Sequence, residues 1–345
     1  MRMELTSLVT TSTTRYSSAV ITKPVAQMSC MDVWSGSHFT HRGVEFGGLD
    51  AWLYSKPYGQ ARRGGDVFYA SSCATGRITR LLLADVAGHG TSVAATAADL
   101  RLLMRRFMNC LDQTQLVRLI NGQFAELSRQ AVYATAVVTT FFSPTRVLTV
   151  CNAGHPKPLI YRASKQEWTY LNHSATGPNS GLRNLPLGIL SVSDYDQFSV
   201  ELEVGDCVVT YTDALIESQD ADGKRLGEEG LLRIMRLLGD VDAPKLIETV
   251  LSEIEERYPD NLSKDDCSLV VLRVNERKPN YSFREKLHAL LRFSATLLRS
   301  VDPKSERAPF PDLNVPNVGG AIVPSLAKQW RGPVPVIQDP PKAQQ

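Results

Sequence analysis

The six cysteines, at positions 30, 73, 110, 151, 207 and 267, include no C-x-x-C pair. Zinc ribbons, thioredoxin-like redox centres and a dense disulfide framework are therefore not expected. Cys151, Cys207 and Cys267 stand in apolar, strand-like surroundings and read as small buried core residues. No window reaches the roughly 18 apolar residues of a membrane-spanning helix. Met1 to Ser18 is rich in Ser and Thr and lacks the apolar core of a secretory signal, so a reducing cytoplasm is the expected setting. Net charge is only +2, from 38 basic against 36 acidic residues, and no dense basic cluster occurs. That balance gives no electrostatic footprint for nucleic acid, and no nucleic-acid partner is expected. A G-x-S-x-G nucleophile elbow is also missing.

What the chain does carry is a series of acidic motifs far apart in sequence. They are Gly64-Gly65-Asp66, Asp85-Val86-Ala87-Gly88-His89-Gly90, Tyr211-Thr212-Asp213 and Asp265-Asp266-Cys267-Ser268. Three adjoin apolar runs that read as buried strands: Leu81-Leu82-Leu83-Ala84, Val208-Val209 and Leu269-Val270-Val271-Leu272. A carboxylate at the end of a core strand is costly without a partner, and several converging on one place repel one another. A hard divalent cation relieves both problems, and Mg²⁺ or Mn²⁺ prefers oxygen ligands of this kind. The pattern points to a metal-dependent hydrolase.

The segment Leu83-Ala84-Asp85-Val86-Ala87-Gly88-His89-Gly90 resembles the ADVSGHG signature of bacterial SpoIIE/RsbU-type phosphatases, within the metal-dependent (PPM, type 2C) serine/threonine phosphatase superfamily. Further pieces follow in that family's order: Asn152-Ala153-Gly154-His155-Pro156, Leu185-Pro186-Leu187-Gly188-Ile189, Thr212-Asp213 with Glu217, and the Asp-Asp-x-Ser element at 265–268. The resemblance covers roughly residues 48–274. It implies that Asp85 bridges two cations, Mn²⁺ or Mg²⁺, with the Val86 carbonyl as a further oxygen ligand. Asp213 and Asp265 would bind one cation each, and Asp66 would sit at the metal site as a ligand or holding a water. Asp85 and Asp213 are thus the expected catalytic pair. Two divalent cations and these four aspartates would form a neutral cluster able to accept a phosphate.

Ala214 stands where the family commonly has glycine, and Ser268 where threonine is commoner; neither change removes a ligand. Asp266 reads as the ligand's neighbour. His89 invites the role of general acid, but it lies four residues after Asp85, whereas the catalytic histidine of eukaryotic-type relatives lies two after, so packing at the turn is the alternative. His155 reads as structural, holding a strand turn. Arg62 and Arg63 suit either phosphate contact or a solvated loop. The reaction implied is in-line hydrolysis without a covalent enzyme intermediate, on a phosphorylated regulatory protein of the anti-anti-sigma-factor-like kind used in partner switching. The alternatives are a catalytically inactive phosphatase-like binding protein and a metallohydrolase of small phosphoesters.

Strand-like and helix-like segments come in blocks rather than strict alternation, which argues for antiparallel sheets with helices packed outside. Strands are predicted around Trp52, from Val67 to Ala70, over 78–84, 134–142, 147–152, 159–162, 198–202, 206–212 and 268–274. Helices are predicted after Gly90, over 115–129, 230–238 and 243–258. In the second, Leu116, Leu119, Ile120, Phe124 and Leu127 form the inner face. The resemblance sharpens this to an α+β sandwich, two stacked antiparallel sheets flanked by helices on both faces. The expected boundaries are an irregular segment over 1–45, too short for a separate sensor domain, and a metal-dependent phosphatase domain over 46–275. A basic amphipathic helix within 276–304 and a Pro/Gly-rich, disordered or surface-draped tail over 305–345 complete the chain. The stripe from Phe283 to Val301 suits a membrane surface, a partner or the phosphatase domain itself.

Overall fold

Two alternations hidden inside continuous apolar runs set the architecture. In the computed structural model Leu81 and Leu83 join one buried cluster while Leu82 and Ala84 join another; Val270 and Leu272 part from Leu269 and Val271 in the same way. Successive side chains of a strand point to opposite faces, so a strand buried on both sides shows no polar alternation. The structure describes residues 26–28, 33–73, 76–88, 91–108, 110, 112–127, 132–171 and 183–277. His89, the expected helix at 283–301 and the Pro/Gly-rich tail lie outside the described residues.

The chain runs through β1 (Ala26–Gln27), β2 (Val33–Gly36), β3 (Thr40–Phe46), β4 (Leu49–Lys56), β5 (Asp66–Cys73) and β6 (Ile78–Val86), then α1 (Thr91–Phe107) and α2 (Gln113–Leu127). It continues through β7 (Ala134–Phe142), β8 (Val147–Ala153), β9 (Leu159–Arg162), β10 (Glu167–Tyr170), β11 (Gln197–Glu201) and β12 (Cys207–Tyr211). Last come α3 (Ala214–Glu217), α4 (Gly227–Leu238), α5 (Ala243–Glu255) and β13 (Cys267–Val274). One sheet has the order β1-β3-β4-β13-β12-β9-β10, the other β11-β8-β7-β6-β5-β2. The strand pairings are antiparallel apart from the short β1, which runs parallel to β3.

The two sheets stack on a shared core that includes Leu53, Phe68, Leu83, Val137, Val208 and Leu272. Helices α1 and α2 cover the outer face of the β5–β8 sheet, placing Leu100, Met104, Ile120 and Phe124 against Tyr69, Leu82 and Val138. Helices α4 and α5 cover the other outer face, where Leu231, Ile247 and Val250 meet Val209, Tyr211 and Val271. This is the expected sandwich, with helices on both faces. Cys151, Cys207 and Cys267 are buried in it, as their surroundings suggested. Among the described residues no helix is long and apolar enough to cross a membrane.

Two expectations about elements need correction. Residues 33–46, expected to be irregular, contain β2 and β3, which extend one sheet each. The polar sequence of β3, Thr-His-Arg-Gly-Val-Glu-Phe, hides a strand whose inward positions are filled by Thr40, Val44 and Phe46. The inner face of α2 is turned relative to the one predicted: Val117 and Asn121 are buried, whereas Leu127 is exposed. The start of α2 is set by Asp112, whose Oδ1 accepts the backbone N–H groups of Thr114 at 2.8 Å and Gln115 at 3.3 Å.

Candidate active site

The four acidic motifs meet because strand ends meet. In the β5–β6 pairing Asp66 lies directly opposite Asp85, and in the β6–β7 pairing Asp85 lies opposite Thr135. From the facing sheet, β12 runs into Thr212 and Asp213, and β13 begins just after Asp265-Asp266. Thr212 ties the two sheets together. Its hydroxyl donates to Oδ2 of Asp66 at 3.0 Å and accepts the Ser268 N–H at 2.9 Å, while its own N–H donates to the Ser268 carbonyl at 3.0 Å. Ser268 in turn donates its hydroxyl to Ser55 at 2.9 Å. The other oxygen of Asp66, Oδ1, is buried without a protein partner.

Asp266 does more than neighbour a ligand. It is buried, and its two oxygens accept the backbone N–H groups of Tyr58 and Gly65, each at 2.6 Å. These charge-assisted bonds pin the loop before β5 onto the start of β13. The Gly-Gly pair follows from that clamp. A Cβ at position 64 would lie 2.1 Å from Oδ1 of Asp266, and one at position 65 would lie 2.8 Å from the Val86 carbonyl oxygen. The loop can therefore press against Asp266 and Val86 only without side chains at 64 and 65.

The electrostatics record the convergence. Burial, then the charges of Asp213, Asp265 and Asp266, push the Asp85 carboxyl up to about 8. Burial and the Asp85 and Asp266 charges hold Asp66 well above the carboxylate range, partly offset by the Ser268 and Thr212 hydroxyls. Burial also raises Asp213, against the pull of Arg225. The arrangement is a ring rather than a closed cage: among the described residues no three Asp, Glu, His or Cys groups already converge tightly enough to hold an ion. The donor set nonetheless fits a hard divalent cation. It is all oxygen, it carries excess negative charge, and the buried Oδ1 of Asp66 lacks a protein partner.

Two other motifs interlock behind the ring. His155 is buried, and its Nδ1 lies 2.8 Å from the Thr135 hydroxyl. Burial pushes its imidazole down to about 3, so it is neutral, and the Thr135 contact ties its turn to β7. Asn152 holds the turn by accepting the His155 N–H at 2.7 Å and donating to the His155 carbonyl at 2.9 Å. The Leu185-Pro186-Leu187-Gly188 segment packs on this turn. A Cβ at Gly154 (φ 69°) would lie 2.5 Å from Cγ of Pro186, and Leu187 exchanges backbone bonds of 2.7 and 2.9 Å with Ala134. Arg62 and Arg63 lie exposed in the loop that Asp266 pins. A covalent thiol route has no footing here. Cys267 and Arg273 carry the spacing of a Cys-x5-Arg loop, but they lie near opposite ends of β13, and burial pushes the thiol pKa up.

A sequence model of the family described as Stage II sporulation protein E (SpoIIE) matches residues 75–275, more than half of the chain. The chain belongs to the SpoIIE family. Within it, the phosphoserine phosphatase RsbU of Bacillus subtilis (strain 168) is 26% identical over 209 residues, which are 56% of this chain and 55% of RsbU. The chain thus spans about half the length of RsbU. Among solved structures, the RsbU and RsbW domains of Rv1364c from Mycobacterium tuberculosis superpose with a TM-score of 0.56 at 21% identity, covering 76% of this chain and 80% of that one. The SiaA-PP2C domain of Pseudomonas aeruginosa gives 0.55 at 17% identity, covering 65% and 86%. The PP2C phosphatase domain of SpoIIE from Bacillus subtilis, solved with a fragment of its regulatory domain, gives 0.52 at 17%, covering 72% and 64%. At such identities the likeness is one of fold, and the fold is the PP2C-type phosphatase sandwich.

Proposed function

We propose that this SpoIIE-family chain is a Mn²⁺- or Mg²⁺-dependent serine/threonine phosphatase acting on a phosphorylated regulatory protein. The observation that carries this reading is the meeting of Asp66, Asp85, Asp213, Asp265 and Asp266 at one end of both sheets, with the Asp66 and Asp85 carboxyls driven up by burial and neighbouring acids and the Asp213 carboxyl by burial. Asp85 would hold both cations with the Val86 carbonyl as a further oxygen ligand, Asp213 and Asp265 would hold one each, and Asp66 would complete the set as a ligand or through a water. The chemistry such ions supply is activation of a water nucleophile and neutralisation of the phosphoryl oxygens. Thr212 and Ser268 orient Asp66, and Asp266 keeps the Gly64-Gly65 backbone against Val86. Arg62 and Arg63 stand in the same loop as candidate contacts to the phosphate.

The likeness to RsbU and to the RsbU and RsbW domains of Rv1364c supports a partner-switching substrate of the anti-anti-sigma-factor-like kind. We place the start of the catalytic domain near residue 26, upstream of the expected boundary, because β1, β2 and β3 pair into its sheets. Its end is placed near residue 277. The test is turnover of p-nitrophenyl phosphate and a phosphoserine protein by the full chain with Mn²⁺ or Mg²⁺. EDTA and Asp85→Asn should each abolish turnover, the variant keeping its circular dichroism. Turnover that survives EDTA or Asp85→Asn would refute the metal-dependent reading.

A further inference from the structure

The side chain of Arg225 is 62% exposed and forms an ion pair with Glu217, itself 47% exposed. Its place is fixed by what lies beneath it. Asp213 opens the one-turn helix α3, and the Glu217 N–H donates to the Asp213 carbonyl at 2.8 Å, so Glu217 stands one turn from that site aspartate. The chain then folds into a tight hairpin in which Gln219 bridges Arg225, the Asp220 N–H donates to the Lys224 carbonyl at 2.7 Å and the Leu226 N–H to the Ser218 carbonyl at 2.7 Å. Asp220 closes the turn through its Oδ1, which accepts the N–H groups of Asp222 and Lys224 at 3.0 Å each. Asn261 clamps the base, accepting the Gln219 N–H at 2.9 Å and donating to the carbonyls of Gln219 at 2.8 Å and Ile254 at 2.7 Å.

These anchors hold the hairpin without the Arg225 side chain, and an exposed ion pair of this kind contributes little to stability. The pair therefore needs another reason. Asp213 and Glu217 lie four residues and one turn apart, so the guanidinium that Glu217 holds stands beside the carboxylate ring. A guanidinium offers five donors in a planar fork matched to phosphate oxygens, and one carboxylate contact leaves most of them open.

We propose that Arg225 receives the phosphoryl group of the substrate at the rim of the carboxylate ring, with Glu217 holding the guanidinium in place until the phosphate arrives. This rests on the phosphatase reading and adds to it a phosphate-binding residue beyond Arg62 and Arg63. The step is an exchange of ion-pair partners and breaks no covalent bond.

The test uses the full chain with Mn²⁺ and the variants Arg225→Ala, Arg225→Lys and Glu217→Gln. The readouts are p-nitrophenyl phosphate kinetics, calorimetric binding of inorganic phosphate, and melting temperature. Loss of a charged hydrogen bond to phosphate should raise KM and weaken phosphate binding by about tenfold or more in Arg225→Ala. We expect kcat and the melting temperature to stay near wild type, Arg225→Lys to recover part of the loss, and Glu217→Gln to raise KM by less than Arg225→Ala does. Unchanged KM and phosphate binding in Arg225→Ala would overturn the proposal. So would a KM rise confined to a phosphoprotein substrate, because Arg225 would then read the flanking protein surface. If the wild type turns over no phosphoester, the phosphatase reading fails, while loss of phosphate binding in Arg225→Ala still supports the role of Arg225. Absence of phosphate binding by the wild type counts against it.

Discussion

Replacing Gly64 with alanine puts one methyl group where the structure has no room for it. The added Cβ would lie 2.1 Å from Oδ1, 2.5 Å from Cγ and 2.8 Å from Oδ2 of Asp266. The whole carboxylate is in the way, and it must move by more than an ångström to reach ordinary contact. It cannot do so freely, because both oxygens are engaged at 2.6 Å with the N–H groups of Tyr58 and Gly65 and the residue is only 2% exposed. A hydrogen bond to a charged group contributes about 1.5–3 kcal/mol, and a displaced buried carboxylate also loses solvation it cannot regain. Losing or stretching one of the two bonds predicts destabilisation of roughly 2–4 kcal/mol.

The measurement is urea unfolding of the full chain, run as a double-mutant cycle with Asp266→Ala. Gly64→Ala should be costly in the wild-type background and nearly neutral once the Asp266 carboxylate is gone. The coupling should exceed about 1 kcal/mol. Turnover should fall in Gly64→Ala, since the loop also packs beside the Val86 carbonyl. Additive effects of the two substitutions, or a Gly64→Ala cost below about 0.5 kcal/mol, would refute the steric reasoning.

Thr212→Val keeps shape but leaves Oδ2 of Asp66 and the Ser268 N–H without their shared partner; unfolding should show a loss of roughly 1–3 kcal/mol, and Mn²⁺ affinity by calorimetry should weaken. His155 carries a folded pKa near 3 against an ordinary 6.5, so the unfolded chain takes up a proton that the folded one refuses as pH falls through that window. Its contribution should cost about 1.4 kcal/mol per pH unit below 6.5, and unfolding of His155→Gln should lack that slope while losing the Thr135 contact. For Asp85 the sign is opposite: the folded carboxyl holds its proton up to about 8 while the unfolded one releases it near 3.8. In EDTA its contribution therefore falls as pH rises between those values, and Mn²⁺ should reverse that loss in thermal melts.

The buried strands were legible because they are buried twice. Ala134–Phe142 and Leu159–Arg162 match the predicted limits, since both are rich in β-branched and aromatic residues and show no competing helical period. Strand β3 was not, because its polar His41, Arg42 and Glu45 mask the buried Val44 and Phe46 in a local reading. Helix α3 is a single turn, too short to show any period. In α2 the sequence offers Leu119 and Leu127 as freely as Val117, and the choice belongs to the sheet it lies on, including the hold of Asn121 on the Leu190 carbonyl at 2.8 Å.

The site divides along a similar line. Carboxylates at strand ends are visible one by one, because Asp85, Asp213 and Asp265 each adjoin an apolar run that makes the charge conspicuous. What fixes them is invisible locally: the bond from Thr212 to Asp66 spans 146 residues, and the one from Gly65 to Asp266 spans 201. The second uses a backbone amide that every residue except proline possesses, so no side-chain identity in the loop announces it. The Gly-Gly pair is its trace in the sequence, and it reads as an ordinary turn until Asp266 is placed against it. Arg225 follows the same logic. On a polar hairpin it resembles any surface arginine, and only its neighbourhood with Glu217 and Asp213 gives it chemistry. A site built from strand ends of two sheets therefore announces its charges in sequence, while the groups that aim those charges emerge only when the sheets are stacked.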